Sequence, residues 1–122
     1  MLLVPVSVGE LVDKITILEI KSEQIDNPEK LQNVNRELDL LYEISADIKI
    51  GKYIKDLREV NKKLWEIEDR IREKEQLSEF DDEFVQLARS VYITNDRRSE
   101  IKRFINESLG SEIIEEKFYQ HI

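Results

Sequence analysis

An all-α fold follows from three observations. Between Leu57 and Glu75 the apolar residues Leu57, Val60, Leu64, Ile67 and Ile71 recur at spacings of three, four, three and four, which marks a helix with one buried seam. The 122 residues are 40% hydrophobic and 38% charged, with three Gly and two Pro, a balance suited to helices that bury one face and solvate the other. Residues that start or stop helices, such as Ser7, Asn27-Pro28 and Gly110, fall between the periodic stretches. Together they predict an antiparallel helical bundle of about four main helices in a single domain over residues 1–122, with a short extended N-terminal arm and a short C-terminal helix.

Leu2 to Val6 is apolar and interrupted by Pro5, which suits an extended arm packed on the body. Ser7 with Glu10 three residues later predicts a capping box, opening a first helix from about Val8 to Ile25. Leu11, Val12, Ile15, Leu18 and Ile25 give it one apolar face; Ile17 and Ile20 widen that face, so this helix is expected to be covered on more than one side and to sit centrally. Asn27 caps a second helix with Pro28 at its first position, and Leu31, Val34, Leu38, Leu41 and Ile48 form its seam up to Gly51, a natural stop. The second and third helices then read as an antiparallel hairpin joined near Lys49 to Tyr53, each seam facing the other. The third carries Trp65 one position off its seam and sets Asn61 and Glu68 beside it.

Asp81 or Ser78 caps a fourth helix starting near Asp82, with Phe84, Leu87, Ala88, Val91, Ile101, Phe104 and Ile105 as its stripe. Continuing that stripe puts Thr94, Asn95 and Arg98 on the core-facing side, so either the helix breaks at Thr94-Asn95-Asp96 or polar groups enter the core. Gly110 ends it, and Ser111 caps a last short helix docked by Ile113, Ile114, Phe118 and Tyr119.

Composition excludes several chemistries. Without cysteine there is neither a disulfide framework nor a thiolate metal site. The net charge of -8 opposes nonspecific attraction to nucleic acid or anionic membranes. No apolar run approaches the roughly 18 residues of a membrane span, and the N-terminus lacks the marks of a secretion signal, which leaves a cytoplasmic protein and makes the Asn106-Glu107-Ser108 sequon accidental. His121 has no cysteine or placed serine partner and is given no catalytic role.

Two constellations carry candidate chemistry. On the fourth helix Arg89, Arg97, Arg98, Lys102 and Arg103 stand against Asp96 and Glu100, a local balance of 5 − 2 = +3, and Asn95, Arg98, Lys102 and Asn106 share one face. Such a row suits a phosphate, nucleotide or sugar nucleotide; the competing assignment is that these bases pair with acidic residues of the first three helices. In that case Arg98 and Asn95 form a half-buried polar network with Glu68 and with Asn61 or Glu19. The second constellation is a magnesium site. Glu66 and Asp69, Glu10 and Asp13, and Glu19 and Glu23 each share a helix face, and carboxylates from two helices can hold Mg²⁺ for pyrophosphate cleavage. The helical nucleotide pyrophosphohydrolases pair Glu-Glu-x-x-Glu with Glu-x-x-Asp. Glu66-x-x-Asp69 matches the second half, but Glu115-Glu116 is followed by Lys117, Phe118 and Tyr119, so the first half fails.

The stretches VPVSVGELVDKITILEIKSEQI, KLQNVNRELDLL, NKKLWEIEDRIREKE, ARSVYITNDRRSEIKRFIN and GSEIIEEKFY resemble a family of small proteins of bacteria and marine phages known only as a domain of unknown function. The resemblance spans nearly the whole chain. It implies a compact stand-alone unit, some of whose relatives occur near or joined to glycosyltransferase-type proteins, and it brings no catalytic residues to carry over. The residues therefore point to a noncatalytic binding or interaction protein that docks a protein partner or pairs as a homodimer, with a candidate anion site on the fourth helix. The alternative is a metal-dependent enzyme acting on nucleotides or sugar nucleotides.

Overall fold

The computed structural model describes residues 1–119, and His121 falls outside them. Four helices make up the fold: α1 (Val8–Gln24), α2 (Pro28–Ser45), α3 (Gly51–Gln76) and α4 (Asp82–Ser108). No strand occurs among the described residues. α1 lies at the centre and packs against each of the other three, while α3 and α4 pack along each other. Val12, Ile15, Leu57 and Ile105 are wholly buried where α1, α3 and α4 meet, and Val34 and Leu38 of α2 join the same core through α1.

The expected α2–α3 hairpin is not the scaffold, because α2 packs on α1 and makes no close approach to α3. α2 faces α1, and α3 packs against both α1 and α4. That arrangement needs a central helix with two apolar sides, and α1 has them: Leu11, Ile15 and Leu18 on its main face, with Ile20 only 2% exposed on the flank. Gly51 also differs from expectation. Ser45 and Asp47 compete with the helix ladder for backbone hydrogen bonds; α2 ends at Ser45, and Gly51 opens α3 instead of closing α2. In between, Ile50 is buried and Ile48 half-buried, so the connection docks on the core.

The caps explain where the other helices begin and end. Asn27 accepts a bond from the Lys30 amide (3.0 Å), with Pro28 at the first helical position as the sequence indicates. Asp81 caps α4 by accepting from the Phe84 amide (3.0 Å). Its other oxygen takes a bond from Lys74 Nζ (2.7 Å), a buried ammonium that Glu79 and Glu83 also approach. The α3–α4 corner is thereby pinned. α4 runs unbroken through Thr94-Asn95-Asp96 and stops at Gly110, whose φ of 62° is the left-handed turn that favours glycine, while the Ser111 amide bonds back to the Asn106 carbonyl (2.8 Å).

Two terminal expectations are corrected. The arm does not pack on the body: Leu2 is 92% and Leu3 83% exposed. The last helix does not form over residues 111–119. Ser111 is drawn away from a capping role of its own, because its hydroxyl accepts from the Val8 amide (3.0 Å) and donates to the Ile113 carbonyl (2.7 Å). Phe118 and Tyr119 stay exposed.

Candidate functional site

The N-terminus of α1 and the middle of α4 build the most polar interior of the molecule. The first amides of a helix lack intrahelical partners, and here those of the first three helical residues each find one before the regular ladder begins at Leu11. The Val8 amide donates to Ser111 Oγ, Gly9 to Asn106 Oδ1 (2.6 Å), Glu10 to Ser7 Oγ (3.1 Å) and Leu11 to the Ser7 carbonyl (3.1 Å). Asn106, 1% exposed, is thus a cap supplied by a distant helix. Gly9 permits that contact, since a Cβ there would lie 2.5 Å from the Lys102 carbonyl oxygen. The capping box is only half formed: the Glu10 carboxylate turns to Lys102 Nζ (2.6 Å).

One turn further along α1, Asp13 is fully buried. Arg98 forks onto it, Nε donating to Oδ1 (3.0 Å) and Nη2 to Oδ2. Asn61 of α3 donates to the same Oδ1 and to Thr16 Oγ1, both at 2.8 Å, and the Thr16 hydroxyl donates to the Asp13 carbonyl at 2.8 Å. Lys102 Nζ sits among Glu10, Glu115 (3.2 Å) and Asp13 (3.7 Å). Three helices and the C-terminal tail are therefore joined by one polar network whose buried side-chain nitrogens and oxygens all have partners among the described residues.

This is the interior network that the phase of α4 predicts, but its acceptor is Asp13 and not Glu68. Glu68 is exposed and, among the described residues, pairs with Arg72 at 3.8 Å. Glu19 is also elsewhere, accepting from Tyr42 and from Arg58. Asn95 is half-buried on the rim of the network, and Arg89 is exposed and distant from it. The signal for Asp13 was its position three residues after Glu10 and between the apolar Val12 and Ile15 on the first helix; its oxygens meet a guanidinium and an ammonium where the metal assignment would place a cation. Glu66 and Asp69 are exposed on α3, and no group of three or more metal-ligating side chains converges among the described residues.

Electrostatics follow from this geometry. Arg98, Lys102 and Lys117 face Glu10, Asp13 and Glu115, a balance of 3 − 3 = 0 within the network. The hydrogen bond to Asp13 raises the Arg98 pKa despite burial. For Lys102 burial is the largest influence and acts downward, yet the bond to Glu10 and the charges of Asp13 and Glu10 outweigh it, so its pKa is raised as well. Glu115 is the counterpart: burial acts upward, but Lys102 and Lys117 hold its pKa below the usual carboxylate range. Tyr42 is pushed up to about 12 by burial and by its bond to Glu19.

Lys102 and Tyr42 hold their protons more tightly in the folded protein than in the unfolded chain. Their contribution is complete below the unfolded pKa and disappears as pH rises through the folded one. Glu115 has the opposite sign and loses its contribution as pH falls through its lowered value. Urea midpoints should therefore decline once the pH passes about 10, where unfolded tyrosine and lysine lose their protons. Tyrosinate absorbance should show one residue, Tyr42, titrating well above the ordinary tyrosine value. A midpoint that holds steady from about pH 9 to about pH 12 would contradict the assignment.

Two clefts open on either side of Arg98. One, about 220 Å³, is polar and lined by Asn95, Arg98, Ser99, Lys102, Lys117 and Tyr119. It brings Asn95, Arg98 and Lys102 together as the anion assignment requires, with the cations already paired. The other, about 390 Å³, lies between α1 and α3 with Ile17, Ile20, Leu64 and Trp65 as its apolar lining and Glu68, Asp69, Arg72 and Arg98 on its polar side. Trp65 is half-buried there, with part of its ring surface left to solvent.

The fold and its interior define a small all-α protein with a charge-compensated core and an open apolar groove. Residues 2–122 match the family described as "Family of unknown function (DUF6165)", and the chain belongs to that family. No curated protein and no solved structure matches it. No helix among the described residues is long and apolar enough to cross a membrane.

Proposed function

We propose that the protein is a noncatalytic interaction module that docks an apolar segment of a protein chain in the groove beside Trp65. The observation that carries this is the groove itself: Ile17 of α1 and Leu64 and Trp65 of α3 are half-exposed and line one concave surface together with the buried Ile20. A large aromatic ring with apolar neighbours and a charged rim is the composition of an interface centre.

A second reading rests on the polar cleft, where Asn95, Ser99 and Lys117 surround Arg98 and Lys102. It would hold a small anion, and with magnesium it would extend to hydrolysis of nucleotides or sugar nucleotides. Against it, all three cations there already face carboxylates, so an incoming phosphate must compete with Asp13, Glu10 and Glu115.

Thermal unfolding with nucleotides, sugar nucleotides and Mg²⁺, followed by assay for released phosphate, separates the two. The interaction reading predicts no saturable stabilisation and no release. A midpoint that climbs with ligand concentration as binding linkage requires, and is lost in Lys117→Ala, would overturn it in favour of the cleft.

A further inference from the structure

We infer that the groove is filled by residues 2–6 of a second copy of this chain, in a reciprocal exchange that makes a homodimer; the inference rests on the groove being a docking site. The arm is the most exposed apolar segment of the molecule, with Leu2 92%, Leu3 83%, Val4 71% and Val6 45% accessible. Pro5 fixes its own backbone and keeps Val4 out of helical geometry, so the segment is already extended and loses little freedom on docking. In a chain that is 38% charged, an apolar run left this exposed calls for a surface elsewhere.

The groove supplies that surface. Its floor is aliphatic and aromatic, open along α1 and α3, and it matches the arm in chemistry: no charge on Leu2 to Val6 needs a partner, and the carboxylates and guanidinia of the groove stay on its rim. Area supports two exchanges. Burying a Leu or Val side chain removes roughly 60–120 Å² from water. Leu2, Leu3, Val4 and Val6 together expose about three full side chains, so two arms with the groove surface they cover come to roughly 700–1,400 Å², which reaches the lower range of a specific interface. Reciprocity also closes the assembly, since each copy offers one arm and one groove.

Light scattering on the full chain at high micromolar concentration should give twice 14.5 kDa. Leu3→Asp should halve the mass while leaving helical circular dichroism unchanged, because Leu3 is exposed in the single copy. Ile17→Asp, in the groove, should do the same. Mixing the two variants should restore some dimer, since one intact arm then meets one intact groove. A monomeric wild type whose Trp65 emission is unmoved by Leu3→Asp would overturn the inference, leaving the docking reading to its own ligand screen. A monomeric wild type in which Leu3→Asp does shift Trp65 emission would overturn exchange in favour of an arm folded into its own groove. A dimer that survives Leu3→Asp would overturn it in favour of a different interface.

Discussion

Asp13→Ala is expected to destabilise the protein by roughly 3 to 5 kcal/mol, the cost of leaving buried charge without its counterion. The substitution removes the acceptor of both Arg98 bonds and of one Asn61 bond, in a position with no access to solvent. Lys102 keeps Glu10 and Glu115, so the loss falls mainly on Arg98. Arg98 is itself partly exposed, which lets water recover some of its solvation and favours the lower half of that range. Urea denaturation at neutral pH would show the loss as a lower midpoint with an unchanged slope. Replacing Asp13 and Arg98 together by Leu and Met should cost much less, since no charge is then stranded.

Gly9→Ala should be nearly as damaging, although alanine is ordinarily the better helix residue by up to about 1 kcal/mol. The new methyl would meet the Lys102 carbonyl oxygen at 2.5 Å and Asn106 Oδ1 at 2.9 Å. The first of these is backbone inside a continuous helix and cannot swing aside, so α1 and α4 must separate. Overpacking of this kind costs about 1 to 3 kcal/mol. Separation also breaks the bond from the Gly9 amide to Asn106 and strands a buried donor, which adds about 1 to 3 kcal/mol. A total near 3 kcal/mol or more, read as a drop in thermal midpoint, is the expected outcome. A rise in the midpoint would mean that the two helices do not approach as closely as described.

Periodicity made the helices legible and left their neighbours undetermined. Leu57, Val60, Leu64, Ile67 and Ile71 define which face of α3 is buried, yet a seam does not say which helix meets it, and the α2–α3 pairing inferred from chain adjacency gave way to α1. The clue was present in α1, whose apolar residues exceed one face. The phase of α4 likewise placed Arg98 and Thr94 inward, but it pointed to Glu68, with Asn61 or Glu19, and did not reach Asp13 as the acceptor. That choice depends on the rotation and rise of α1 against α4, which Gly9 sets through a close backbone approach invisible to hydrophobic pattern. Lys74 was unreadable for a related reason: its burial comes from Glu79, Asp81 and Glu83 folding back over the α3–α4 corner. The arm and tail were misread because apolar residues were assumed to dock on their own chain.

The central claim is that Arg98 is held by Asp13 as part of the core and is not reserved for a ligand. A double-mutant cycle on Asp13→Ala and Arg98→Met, measured by chemical denaturation, tests it most directly. The account predicts that the two losses fail to add, with a coupling of about 1.5 kcal/mol or more, beyond the roughly 0.5 kcal/mol expected of independent sites. Additive losses, together with an Arg98→Met variant as stable as the wild type that no longer responds to a nucleotide the wild type binds, would contradict it.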